Sequence, residues 1–222
     1  MKSSNPFETK PNETRIKICG VTRSEDACLC AAAGADFLGF NFYKSSPRYI
    51  EPKHARRIIE TLRAENLHVE AVGVFVNETP EEVARIAHQA NLNAVQLHGD
   101  EQVGDCRRLM DDGLRVTKAL RVGADFKFET ATAFAFCDAV LLDAFDRKLY
   151  GGSGARFDWS IARQVVNLVP RLMLAGGLNP SNVQEAILAV APFGVDVASG
   201  VESAAGVKDN LKVRAFIKAV RG

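Results

Sequence analysis

Charge of one sign is what this chain most plainly lacks: 28 basic side chains against 27 acidic ones leave a formal +1 over 222 residues. That balance gives no electrostatic footing for nucleic acid, whose binders carry a basic excess or a basic stripe. Long apolar runs are missing too. None approaches the roughly 20 residues that a bilayer-spanning helix requires, so no membrane partner is expected. Residues 1–14 hold Pro6 and Pro11 among polar neighbours and have no apolar h-region, which argues against a secretory signal. They read as a flexible N-terminal leader. The five cysteines, at positions 19, 28, 30, 106 and 137, form an odd set without metal-ligand spacing. Cys28 and Cys30 fall in a helical stretch, where residues two apart do not face each other. All but Cys19 therefore read as reduced thiols filling a cytoplasmic core, and no metal is expected. A dinucleotide-binding glycine fingerprint is absent, as is any low-complexity tract after residue 14.

What is there is a repeating alternation. Hydrophobic residues make up 47% and charged residues 25%, the balance of an ordinary globular domain. Apolar runs of strand length stand at 15–19, 37–42, 71–76, 94–97, 116–120, 139–143, 171–175 and 195–198. Runs this apolar suit strands buried on both faces, which parallel sheets require. Between them lie helical patterns. Ser24 is placed to cap a helix over 25–34. Pro52 opens a second whose Ala55, Ile58, Ile59 and Leu62 share a face. Thr79-Pro80-Glu81-Glu82 is a capping-box sequence ahead of the stripe Val83, Ile86, Ala87 and Ala90. Asn179-Pro180-Ser181 caps another, and a last helix covers 208–220. Eight strand-then-helix units without a linker predict a single-domain α/β fold over 15–222, a (β/α)8 TIM barrel. An open doubly wound sheet is the competing architecture, but it normally uses fewer units.

In such a barrel the strand ends carry the chemistry. Cys19 ends the first strand and Asp143 the sixth, so both reach the mouth from opposite sides. A thiolate and a carboxylic acid across one small ligand can take a proton from one atom and give one to another. The thiol must then titrate below its usual ~8.5, and a bound phosphate would oppose that. On this reading strand alternation turns Lys17 away from Cys19, leaving the means of lowering open. Gly151-Gly152-Ser153-Gly154, Ala175-Gly176-Gly177-Leu178 and Ser199-Gly200-Val201 follow consecutive late strands. Their backbone amides can converge on an anion, which assigns Gly154, Gly176, Gly177, Ser199 and Gly200 to a phosphate ester. Arg48, in the basic loop after the second strand, can fork a carboxylate. His98 and Asp196 also end strands, and either touch substrate or satisfy local backbone donors.

These residues sit in motifs that resemble the phosphoribosylanthranilate isomerase family. Lys17-Ile18-Cys19-Gly20-Val21-Thr22, Ser46-Pro47-Arg48-Tyr49-Ile50, Gly73-Val74-Phe75-Val76-Asn77 and Val95-Gln96-Leu97-His98-Gly99 carry the likeness in the first half. Leu141-Leu142-Asp143, Gly151-Gly152-Ser153-Gly154, Ala175-Gly176-Gly177-Leu178-Asn179-Pro180 and Asp196-Val197-Ala198-Ser199-Gly200-Val201-Glu202 carry it in the second. The resemblance covers about residues 15–220. It implies an Amadori rearrangement in tryptophan biosynthesis, with Asp143 as general acid and Cys19 as general base. It further implies Arg48 on the anthranilate carboxylate, the late glycine loops on the 5′-phosphate, and no metal or organic cofactor. A related phosphosugar barrel, such as an epimerase or the histidine-pathway isomerase, is the nearest rival; the latter uses aspartate where Cys19 stands. A barrel that binds a phosphate ester without turnover is the rival from another class. Without a long exposed apolar stripe, the chain is expected to be monomeric.

Overall fold

The computed structural model describes residues 13–123, 125–144 and 159–222. Eight parallel strands close into a barrel in simple sequence order, β1 pairing with both β2 and β8. They are β1 (Arg15–Cys19), β2 (Phe37–Asn41), β3 (Glu70–Phe75), β4 (Ala94–Leu97), β5 (Arg115–Val122), β6 (Ala139–Ala144), β7 (Leu172–Leu174) and β8 (Gly194–Val197). Parallel neighbours need a crossover; a helix supplies each of the seven, and an eighth follows the last barrel strand. These are α1 (Ser24–Ala33), α2 (Pro52–Ala64), α3 (Pro80–Ala90), α4 (Val103–Asp111), α5 (Phe128–Ala133), α6 (Trp159–Val165), α7 (Val183–Val190) and α8 (Asn210–Arg221). The (β/α)8 barrel expected from the alternation is the observed fold.

Period-2 alternation divides the strand side chains into two cores. Phe37, Val72, Ala94, Ala119, Ala139, Leu141 and Met173 fill the barrel interior. Ile16, Ile18, Leu38, Phe40, Val95, Val140 and Val195 face outward against the helices. The helices meet them with the stripes read from the sequence: Ala55, Ile58, Ile59 and Leu62 on α2, and Val83, Ile86, Ala87 and Ala90 on α3, are all buried. Each larger apolar side chain so buried is worth about 2 kcal/mol relative to exposure. Parity then carries down each strand. With Ala139 and Leu141 inside, Asp143 must also point inward, at the mouth.

Several boundaries differ from expectation, each for a local reason. Ser24 is the first residue of α1 rather than its cap; Arg23 holds the cap position without a side-chain bond. The first turn instead relies on Glu25 and Asp26 against the helix dipole. Buried Asp26 also accepts the Lys208 amide at 3.0 Å. The α7 cap is Asn182, while Asn179 accepts from Ser181 in a turn just before it. β5 runs to Val122 because its pairing with β6 continues through Ala144. The last helix starts at Asn210, capped by Asp209, because Val207–Lys208 (β10) pairs antiparallel with Glu202–Ala204 (β9). That hairpin follows a single 3-10 turn, Ser199–Val201.

Candidate active site

At the C-terminal mouth one cleft is lined by Cys19, Arg48, His98, Asp143, Gly176, Gly177, Asp196 and Ser199. Eight strand-end or loop residues singled out from the sequence thus meet in one place. β1 and β6 are three steps apart around the ring, passing through β8 and β7, so Cys19 and Asp143 enter the cleft from different flanks. Gly154 lies outside the described residues. Gly200 does not line the cleft; a Cβ there would stand 2.0 Å from the Leu178 carbonyl oxygen, so this glycine lets two mouth loops pack together.

Asp143 is 5% exposed and is held by a short chain of hydrogen bonds. Its Oδ2 lies 3.1 Å from His98 Nε2, and His98 Nδ1 lies 2.9 Å from Gln96 Nε2. Gln96 and His98 share an inward parity with Ala94 on β4, which is why one strand can build the relay. Gln96 Oε1 is buried with no hydrogen-bond partner among the described residues. His98 therefore contacts a carboxylate that also lines the cleft, not merely a local backbone donor.

Cys19 shares its side of β1 with Lys17. Residues two apart on a strand point the same way, so the expectation that Lys17 turns away is overturned. The Lys17 ammonium lies on the side of the Cys19 sulfur, both facing Gly39, and pairs with Asp196 Oδ2 at 2.9 Å. Burial opposes the charge on Lys17, but Asp196 and Cys19 together more than offset it, and the ammonium titrates above its usual range. Burial pushes the Cys19 thiol up; Lys17 pulls it back down, Asp196 pushes up and Lys208 pulls down, and burial prevails. Facing both side chains, β2 offers Gly39: a Cβ there would stand 2.7 Å from Cys19 Sγ and 3.2 Å from Lys17 Nζ. The other Asp196 oxygen, Oδ1, is buried without a hydrogen-bond partner among the described residues.

Arg48 reaches the cleft from the β2–α2 loop, where it is held by a residue that sequence reasoning had not singled out. Glu202 on β9 accepts from Arg48 Nε at 2.9 Å and from Nη2 at 2.6 Å, a forked ion pair. That hydrogen bonding raises the guanidinium pKa further. Buried Lys208 adds a 2.7 Å bond to Glu202 and donates to the Cys19 carbonyl oxygen. Burial alone would raise the Glu202 carboxyl, but Arg48 and Lys208 hold it below the usual carboxylate range. Gly20 allows the close fit, since a Cβ there would meet Arg48 Cδ at 2.4 Å. The only sequence signal for this network was Glu202 at the end of the Ser199-Gly200-Val201-Glu202 motif.

After β7, Gly176 and Gly177 both adopt positive φ, 81° and 69°, a sequence of two left-handed residues that side chains resist. Asn182 fixes the turn by donating to the Gly177 carbonyl oxygen at 3.0 Å. Ser199 begins the 3-10 turn beside it. Together the mouth presents a thiol and a carboxyl on two flanks, a guanidinium at the rim and a glycine turn with two left-handed residues.

The model of the N-(5'-phosphoribosyl)anthranilate (PRA) isomerase family matches residues 16–219. The N-(5'-phosphoribosyl)anthranilate isomerase of Trichlorobacter lovleyi is 48% identical over 204 residues, 92% of this chain and 96% of that protein. Crystallised monomers of the dimeric phosphoribosylanthranilate isomerase of Thermotoga maritima superpose with TM-score 0.83 at 43% identity, covering 94% of this chain and 99% of theirs. A phosphoribosylanthranilate isomerase in complex with reduced 1-(o-carboxyphenylamino)-1-deoxyribulose 5-phosphate gives TM-score 0.84 at 42% identity, with 94% and 99% coverage. The chain belongs to the N-(5'-phosphoribosyl)anthranilate isomerase family.

Proposed function

We propose that this chain catalyses the Amadori rearrangement of N-(5-phosphoribosyl)anthranilate to 1-(2-carboxyphenylamino)-1-deoxyribulose 5-phosphate in L-tryptophan biosynthesis. The observation that carries this reading is the entry of Cys19 and Asp143 into one cleft from β1 and β6. Asp143 gives a proton to the ribose ring oxygen; the C1′–O bond breaks and the anilino nitrogen's lone pair forms a protonated imine. Cys19, as thiolate, then removes the C2′ proton. The C2′–H electron pair becomes a C1′–C2′ double bond, and the imine nitrogen regains its lone pair as a neutral enolamine. Tautomerisation to the C2′ ketone completes the reaction, with the imine itself as electron sink and no cofactor.

The acid role requires a proton on Asp143. With Gln96 Nε2 donating to His98 Nδ1, the ring carries its proton on Nε2 and donates to an Asp143 carboxylate. Amide orientation in Gln and tautomer in His are assigned from such networks. Turning the Gln96 amide lets its buried Oε1 accept from Nδ1–H, and Nε2 then accepts from a protonated Asp143. The second arrangement is the one that delivers the acid.

Arg48 would hold the anthranilate carboxylate with the part of its fork that Glu202 leaves over, while Gly176, Gly177 and Ser199 would hold the 5′-phosphate; Gly154 is given the same role on its sequence motif, and Gly200 packs the adjoining loops. Asp196 Oδ1 is suited to accept from a ribose hydroxyl, and His98 to act through Asp143. Residues 15–222 would be the catalytic unit, preceded by the leader 1–14, whose Glu13 pairs with Arg221 at 3.0 Å. Among the described residues no helix is long and apolar enough to cross a membrane, and all five cysteines are free thiols, in keeping with a cytoplasmic enzyme. We also propose a monomer, although the Thermotoga maritima relative is dimeric. The exposed large apolar side chains among the described residues, Leu168, Leu188 and Leu211, stand on a loop and two helices rather than in one run. Light scattering decides this: one chain mass supports it and twice that mass overturns it. Loss of phosphoribosylanthranilate fluorescence on adding purified protein tests the activity. No loss, or loss that persists unchanged in Cys19→Ser and Asp143→Asn, would refute the reading.

A further inference from the structure

A thiol makes a poor base at neutral pH unless something charged stands by its sulfur, and burial at the cleft floor works against the thiolate. The surroundings of Cys19 supply that charge from one residue only two positions away. Lys17 is 2% exposed, lies on the same face of β1, and is tied on its far side to Asp196 Oδ2 at 2.9 Å. The space for both groups exists because β2 places Gly39, paired in register with Cys19, directly opposite them. A buried ammonium that neither lines the cleft nor meets bulk water has no use in binding substrate.

We infer that Lys17 is a positioning residue for the general base: its ammonium, anchored by Asp196, stabilises the Cys19 thiolate that takes the C2′ proton. This rests on the reading of Cys19 as that base. The proton balance is closed, since the C2′ proton ends on sulfur and Lys17 stays an ammonium throughout. The other charged groups facing Cys19 are Asp196 on β8, which opposes the thiolate, Lys208 on β10, and Arg48 from the β2–α2 loop. Lys208 donates to the Cys19 carbonyl oxygen and to Glu202, and Arg48 is forked on Glu202, so neither cation is dedicated to the sulfur. Lys17, by contrast, shares with the Cys19 sulfur the space opposite Gly39.

The test separates Lys17 from the rest of the mechanism by reading the sulfur directly. Cys28 is the other partly exposed thiol, so the measurements use a Cys28→Ser background. The rate of Cys19 alkylation by iodoacetamide, followed by peptide mass, is recorded against pH in the absence of substrate. In Lys17→Met the midpoint is expected to move to higher pH by about one to three pH units, the effect of removing an adjacent opposite charge. Because Lys17→Met leaves Asp196 buried without its partner, Lys17→Met/Asp196→Asn is measured alongside it as a neutral replacement. Asp196→Asn alone is expected to move the midpoint to lower pH. The acid limb of kcat/KM should follow the alkylation midpoint in each active variant. An unchanged alkylation midpoint in both Lys17 variants overturns the role of Lys17. A wild-type rate in Cys19→Ser instead overturns the base on which it rests, and the two failures are told apart by which profile stays put.

Discussion

Cys19 and Asp143 line the cleft from two flanks, and with the roles proposed for them their substitution should act on rate rather than on fold. Cys19→Ser and Asp143→Asn are each expected to lower kcat by about 10²-fold or more, with the thermal midpoint near that of the parent, as monitored by circular dichroism. Arg48 is expected to act on binding. Arg48→Ala removes a charged hydrogen bond worth about 1.5–3 kcal/mol, so KM should rise by roughly 10- to 100-fold while kcat changes little. Unchanged KM would show that the carboxylate is held elsewhere. All of these residues were legible because each ends a strand or follows one, and a parallel barrel aims such positions at one rim. The Lys17 orientation was misread although the information was present, since parity along five residues of β1 fixes it. Gln96, Glu202 and Lys208 were not legible as partners, because their roles depend on distances between elements far apart in sequence.

Among the elements, β2 has little tolerance at the site. Its Gly39 faces the Cys19 sulfur and backbone, and a methyl group there would stand 2.7 Å from Sγ and 3.1 Å from the Cys19 Cα. Gly39→Ala must therefore displace Cys19 or Lys17. It is expected to cost about 1–3 kcal/mol of stability through overpacking. It should also lower kcat/KM by more than that instability explains, measured well below the unfolding midpoint. Wild-type kinetics would mean that the base does not need its observed position. The β9–β10 hairpin is the opposite case, an element with only five residues in its strands that the sequence pattern did not disclose. Its strands are too short to show periodicity, and Asp26 on α1, which anchors it through the Lys208 amide, reads in sequence as an ordinary helix-start acid. Long periodic elements such as α2 and α3 were legible in their opening prolines and buried faces because their apolar stripes repeat over about three turns.

For the whole molecule, closure of the ring leaves the barrel no sheet edge, and inter-element ion pairs bind its base, through Arg15 and Arg221 on Asp36 and Arg115 on Glu70, as well as its mouth. Glu202 links β9, β10, the β2–α2 loop and, through Lys208, the end of β1. Its carboxyl titrates lower in the folded chain than it would unfolded. The stability it contributes is therefore present above the unfolded carboxyl range of about 4.3 and is lost as pH falls through the lower folded value. Glu202→Gln is expected to cost about 3–5 kcal/mol at neutral pH, since it strands a buried ammonium. The gap between the two denaturation curves should narrow below about pH 4; a gap independent of pH would contradict the role given to this ion cluster. The barrel itself was legible from eight apolar runs in alternation with helices, because strand order in this fold follows sequence order.

Two proton-transferring side chains flanking one anchored phosphosugar would be seen at once in a crystal structure with the reduced, ring-opened product analogue. Cys19 Sγ is expected within about 4 Å of C2′ and an Asp143 oxygen within about 3 Å of the oxygen released from the ring, with the aromatic carboxylate on Arg48. An analogue bound with both side chains on the same flank, or with either turned out of reach of its atom, would contradict it.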